Sequence, residues 1–245
     1  MVNVVPVDPV RHANKSWRRP TGYAFVASEP IVPIGASELL DAAVAMPIGF
    51  VERSGRYIPV VLMAVTQGMN VFVGPNGEWF GRYLPAVLRS YPFYRIHPEG
   101  AEQSTLSVDE DSGLVCEASD DAEKFFDADG NPSVRIREIS EFLHRVEQDR
   151  MMIEFSVRAL REAGVIKPWP VTVAVGNQQV TVRDLLGVDE AALNALDDDA
   201  FVKLRKASAL TVAYAQIVSK GQLGTLGQLT LVRQQLANPS QIAPQ

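Results

Sequence analysis

Between Trp79 and Ile96 the chain reads WFGRYLPAVLRSYPFYRI, which sets six aromatic rings and three arginines in eighteen residues. Guanidinium groups beside aromatic faces can stack a planar ligand, grip a sugar or dock a protein partner. Alternate rings can equally fill a core while Arg82, Arg89 and Arg95 extend their charged ends outward. The expected division puts Tyr83, Leu84, Leu88 and Phe93 inside. Trp79, Arg82, Arg89 and Tyr91 then line an exposed groove, the candidate binding residues for stacking and charge-assisted hydrogen bonds.

Other residues with chemical potential are sparse. The three histidines, His12, His97 and His144, are too far apart to share a helix turn, and none stands at metal-ligand spacing from a cysteine or carboxylate. No zinc site is expected, and His144, next to the apolar Leu143, reads as a partly exposed helix residue and not a base. Cys116 lies among acids that would raise its thiol pKa, the reverse of what a nucleophile needs, so it reads as a small apolar residue. The segment DADGN places Asp127, Asp129 and Asn131 at alternate positions as in a calcium loop, but its glycine is fourth and not sixth. A turn leading into a helix cap accounts for the same residues. There is no G-x-S-x-G elbow; VGPNGEWFG lacks a following lysine and GQLGTLG follows a helix, so neither reads as a phosphate loop. The expectation is therefore no catalytic residue, no metal and no cofactor.

The elements that must position these residues follow from composition and periodicity. The chain has 245 residues, 47% of them hydrophobic, enough for a substantial core, and a net charge of -6, which argues against general affinity for nucleic acid or anionic lipid. A basic patch, RHANKSWRRP, stands near the start, and the acidic run from Asp109 to Asp129 reads as a solvated loop. A single cysteine excludes an internal disulfide framework. No secretory leader and no apolar run of about 18 residues is evident, so the expected protein is soluble and cytoplasmic, although export by a non-hydrophobic terminal signal or surface association would leave no such mark.

Residues 1–20 lack periodicity and read as an N-terminal arm. From Tyr23 the runs YAFVAS, IGFVE, IPVVLMAV and NVFV, punctuated by SG and PNG, read as a mostly antiparallel sheet, with short helices at ASELLDAAVAM and RYLPAVLRSY. After DADGNPS, Asn131 is placed to cap a helix with Pro132 at its first position. Its apolar stripe runs Ile136, Ile139, Leu143, Val146, Ile153, Val157, Leu160, broken by Arg150 and closed by Gly164; packing within the chain is expected, with a coiled-coil dimer as the alternative. A small hairpin near 171–182 and acidic-start helices follow, and the pattern weakens beyond Gly221. The expected organisation is an arm over 1–20, one α+β domain over 21–223 and a tail over 224–245. Within the domain, a mostly antiparallel sheet from the N-terminal half packs with long helices from the C-terminal half.

The blocks GYAFVASEPIVPIGASELLDAAVAMPIGFV, NVFVGPNGEWFGRYLPAVLRSYPF, FFDADGNPS and VDEAALNALDDDAFVKLRKASALTVAYAQIVS resemble, in order, those of the bacterial SapC family over about residues 22–223. The resemblance implies association with a surface-layer or envelope nutrient-uptake system, in loci holding outer-membrane receptors and halogenase-like flavoenzymes. It brings no established catalytic residue. Two positions depart from the family pattern: Gln216 stands where histidine is implied, and KASAL replaces an implied SGWL, so an activity needing that histidine would be compromised. The leading expectation is a non-catalytic binding or assembly protein, its partner another protein of that locus or a small molecule or glycan. The alternative is an enzyme, or an accessory subunit of one, in the same pathway. Oligomeric state is not legible.

Overall fold

Ser54 and Gly55 take φ values of +51° and +74°, the pair of left-handed conformations that a two-residue hairpin turn requires. They join strands Ile48–Arg53 and Arg56–Leu62, which pair in antiparallel register from Ile48 opposite Val61 to Arg53 opposite Arg56. In the computed structural model, which describes residues 3–97 and 103–237, this hairpin is the centre of a five-stranded antiparallel sheet. Its order is Ile166–Pro168, Leu186–Val188, Ile48–Arg53, Arg56–Leu62, Ile31–Pro33. Several antiparallel sheets with interspersed helices make the fold α+β, as the sequence leads one to expect.

The chain divides into two compact units, each drawn from two separate stretches, where the sequence reading had one domain. The larger comprises Gly22–Pro85 and Asp149–Gln245. It holds the five-stranded sheet and the hairpin Val171–Val175 with Gln178–Val182, at the expected place. Along Val171–Val175 burial alternates, with Val171, Val173 and Val175 inside. The helix Leu223–Ala237 packs against this strand. It occupies residues read above as the start of a tail, because glycines at 224 and 227 thin the apolar pattern that would announce a helix. Residues 238–245 lie outside the described residues.

The smaller unit comprises Met1–Thr21 and Ala86–Gln148. Two three-stranded antiparallel sheets build it: Val4–Pro6, Thr105–Asp109, Phe93–Ile96; and Val115–Glu117, Lys15–Trp17, Glu123–Lys124. The residues read as an arm thus supply two strands, and Lys15–Trp17 is the central one of its sheet. Three-residue strands are too short for alternation to show in a sequence. The core gathers Trp17, Phe93, Val108, Phe125, Phe126, Ile136 and Leu143, with Trp17 edge-on to Phe93 at 4.8 Å.

The long helix Val134–Glu162 contributes residues to both units. Of its stripe, Ile136, Leu143, Val146, Ile153, Val157 and Leu160 are buried within the one chain, and Gly164, at φ +72°, ends it. The cap differs from expectation: the backbone N–H of Ile136 donates to Ser133 Oγ at 3.3 Å, so Ser133 and not Asn131 is the capping residue. Asn131 and Pro132 belong to the preceding turn, where Asn131 N–H donates to Asp127 Oδ1 at 2.9 Å. RYLPAVLRSY shrinks to one 3-10 turn, Ala86–Leu88.

Candidate functional site

The candidate residues begin in VGPNGEWFG. Gly74 N–H donates to the Glu78 carbonyl at 2.8 Å, Gly77 turns the chain at φ +82°, and its carbonyl accepts from Tyr23 N–H at 2.7 Å. This sets Trp79 in a cluster, stacked on Phe72 at 5.7 Å and tilted against Tyr23 at 5.6 Å. The indole N–H donates to the Tyr83 carbonyl at 2.9 Å. A Cβ at residue 81 would come within 2.7 Å of that nitrogen, so the glycine there is what admits the ring. Trp79 is half-buried and its polar handle is already used.

Arg82 is exposed and makes no ion pair among the described residues. Tyr83, expected inside, is half-buried because its hydroxyl reaches a carboxylate: it donates to Glu38 Oε2 at 2.9 Å. Glu38 is buried, and its other oxygen accepts from Gly35 N–H at 2.9 Å. The loop before it is fixed on the long helix, where Ser37 Oγ donates to the Asp149 carboxylate and Ala36 N–H to the Asp149 carbonyl at 3.2 Å. Sequence reasoning missed Glu38; the available signal was one acid within the apolar run IVPIGASELL.

Arg89 and Tyr91 lie in the smaller unit, Trp79 and Arg82 in the larger. Arg89 is exposed and Tyr91 half-buried. The Tyr91–Pro92 peptide is cis. Tyr91 meets Tyr94 edge-on at 6.3 Å, and burial raises both phenols, that of Tyr94 to about 12. Leu88 and Phe93 are buried as expected, whereas Leu84 is half-buried. Arg95 does not extend outward: its Nε donates to Ser104 Oγ at 2.7 Å and Glu147 Oε2 at 3.0 Å.

Charge is arranged differently from the sequence picture. The basic patch and the acidic run pair with each other: Arg18 with Asp121 at 2.9 Å, Arg19 with Glu123 at 3.7 Å, and Arg11 and Lys15 with Glu110. The Arg11 bond, aided by Lys15, holds the Glu110 carboxyl down at about 2 against the opposing effect of burial. His12 is fully buried, 4.8 Å from the Phe125 ring, with Nε2 3.3 Å from Glu110 Oε1; burial lowers its pKa. Asp127 Oδ1 accepts from Asp129 and Asn131 N–H, and Glu138, twelfth in a count from Asp127, pairs with Arg135 at 2.5 Å. Among the described residues no three His, Cys, Asp or Glu side chains converge as metal ligands. Cys116 is half-buried, its thiol 3.5 Å from the Ser16 carbonyl; exposed His144 has Nε2 2.9 Å from Gln148 Nε2.

Gln216, the departure from the implied histidine, is fully buried. Its Oε1 accepts from Val188 N–H at 3.1 Å and its Nε2 donates to the Ile48 carbonyl at 3.2 Å, joining two neighbouring strands. Beside it Ser219 Oγ accepts from Ile48 N–H at 2.9 Å. Among the described residues no helix is long and apolar enough to cross a membrane. The family model described as SapC matches residues 7–226. No curated protein and no solved structure matches.

Proposed function

The chain belongs to the SapC family, and from that premise we propose that it is a binding or assembly protein, without catalytic chemistry of its own, in a bacterial surface-layer or envelope nutrient-uptake system. One observation carries the reading. Helix Ala209–Ser219, ALTVAYAQIVS, has no charged residue in its 11 positions, a composition that fits a helix covered all round. Val212, Ala213, Ala215, Gln216 and Ser219 are covered within the chain. The other side leaves Tyr214 49% and Val218 61% exposed, facing Leu40 at 62% and Val44 at 64%.

These side chains, with Ala43, Thr211 and Ala215, line a groove of about 250 Å³ that carries no charged residue. A charged partner surface would be desolvated there without compensation, so the fitting occupant is the apolar face of another protein of the same locus. Trp79 and Arg82 in the larger unit, and Arg89 and Tyr91 in the smaller, remain proposed partner contacts of their own stretch.

Affinity purification of the tagged protein from its native cells tests the proposal. Wild type and Val232→Glu, altered at an exposed residue of the helix Leu223–Ala237, should retain the same partner, and Val218→Glu should lose it while keeping its circular dichroism. Equal recovery by all three, or recovery by none, rejects the reading.

A further inference from the structure

Away from that groove, the turn of the central hairpin and the second half of the long helix enclose a cleft of about 340 Å³, lined by Gly55, Arg56, Tyr57, Met151, Glu154, Phe155 and Arg158. This is within the size range of small-ligand sites. Its wall is apolar where Met151 and Phe155 stand exposed on the helix, two large side chains that water would otherwise leave uncovered.

The lining carries two arginines and one glutamate, and the way they are bonded decides what is left over. Arg56 donates twice to Glu154 Oε2, from Nε at 2.9 Å and Nη2 at 2.6 Å. That fork occupies Oε2 of Glu154, itself largely buried, and leaves Oε1 without a hydrogen-bond partner among the described residues. Arg158 lies over the Phe155 ring at 5.3 Å, and its one ion pair among the described residues, to Glu162, is long at 3.9 Å. A guanidinium stacked on a ring keeps its N–H edge available for a bidentate carboxylate. Behind it Arg161 sits over Tyr57 at 5.7 Å and donates to the Tyr57 hydroxyl at 3.2 Å, adding positive charge to the same rim.

We propose that this cleft binds a small carboxylate with an apolar body, the carboxylate on Arg158 and the body against Met151, Phe155 and Tyr57. Arg56, Arg158 and Arg161 against Glu154 and Glu162 leave the cleft and its rim one positive charge in excess beside an apolar wall, and a monoanion with a hydrophobic or aromatic group satisfies both at once. A plain anion would leave the wall wet; a neutral apolar molecule would bury the guanidinium edge without a partner.

Phenylacetate is a suitable probe, with 2-phenylethanol keeping the ring without the charge and acetate the charge without the ring. Titrations of the full chain followed by amide NMR should show saturable shifts at Gly55, Tyr57 and Phe155 for phenylacetate, with affinity about tenfold or more above either control. Arg158→Gln, at an exposed position, and Met151→Asp should each lower that affinity about tenfold with the rest of the spectrum unchanged. Absence of saturable shifts at these residues at millimolar probe overturns the proposal. So does equal binding of the alcohol, equal binding of acetate, or full retention of affinity in Arg158→Gln.

Discussion

Gln216 shows how far a single residue can be read in advance. An amide in the apolar stretch TVAYAQIVS is conspicuous in the sequence, but its partners, the backbone of Ile48 and Val188, are more than twenty residues away in both cases. Burial and bonding make it a bridge between strands. Gln216→Leu should cost about 2 to 4 kcal/mol in chemical denaturation, because it leaves a buried N–H and a buried carbonyl unpaired. Gln216→His should cost less, since a neutral imidazole offers one donor and one acceptor. Equal losses for the two would count against the bridging role. The same limit applies to Tyr83, expected inside but half-buried because its hydroxyl reaches Glu38, a partner the sequence did not announce.

Elements with strong local signals were legible and short ones were not. The long helix, the Ser54–Gly55 turn and the hairpin near 171–182 all follow from periodicity and turn chemistry. The strands Val4–Pro6 and Lys15–Trp17 have three residues each and exist only through their partners. The segment between them is pinned through Glu110, which makes its hold dependent on pH. Glu110 is lowered from 4.5 to about 2, so its stabilisation is full above 4.5 and is lost as pH falls toward 2. His12 is lowered below its ordinary 6.5, so the folded state resists its protonation, and stability declines as pH falls below 6.5. Both act in the same direction. The melting temperature should fall from pH 7 to 3, and Glu110→Gln should flatten the part of that fall below pH 4.5.

The helix Leu223–Ala237 carries a sharper element-scale test. A Cβ on residue 227 would lie far inside van der Waals contact distance of the Ala174 carbonyl oxygen, whereas one on residue 224 meets nothing within 4 Å. Glycine to alanine in a helix ordinarily stabilises by up to about 1 kcal/mol. Gly224→Ala should therefore be neutral or stabilising, and Gly227→Ala should destabilise by about 1 to 3 kcal/mol through overpacking against the hairpin. Thermal melts of the two variants separate close approach from helix propensity.

At the scale of the molecule, the division into two units was the part least accessible from sequence. Each unit takes its residues from two distant stretches, and the helix Val134–Glu162 runs through the boundary at Gln148, so no linker composition marks it. Local periodicity reports elements, not which stretches fold together. The pairing of the basic start with the acidic run was hidden for the same reason: Arg18 and Asp121 lie 103 residues apart.

The apolar groove was not legible in the sequence, where its helix reads as the continuation of an acidic-start segment; its openness to solvent is a property of the packing. Hydrogen exchange on the complex purified from native cells, compared with the isolated chain, tests the binding role most directly. The expected result is slowed exchange over residues 39–44 and 209–219, lost in Val218→Glu. Unchanged exchange over both segments in a complex that nonetheless forms, or turnover of a small molecule by the isolated chain, would contradict it.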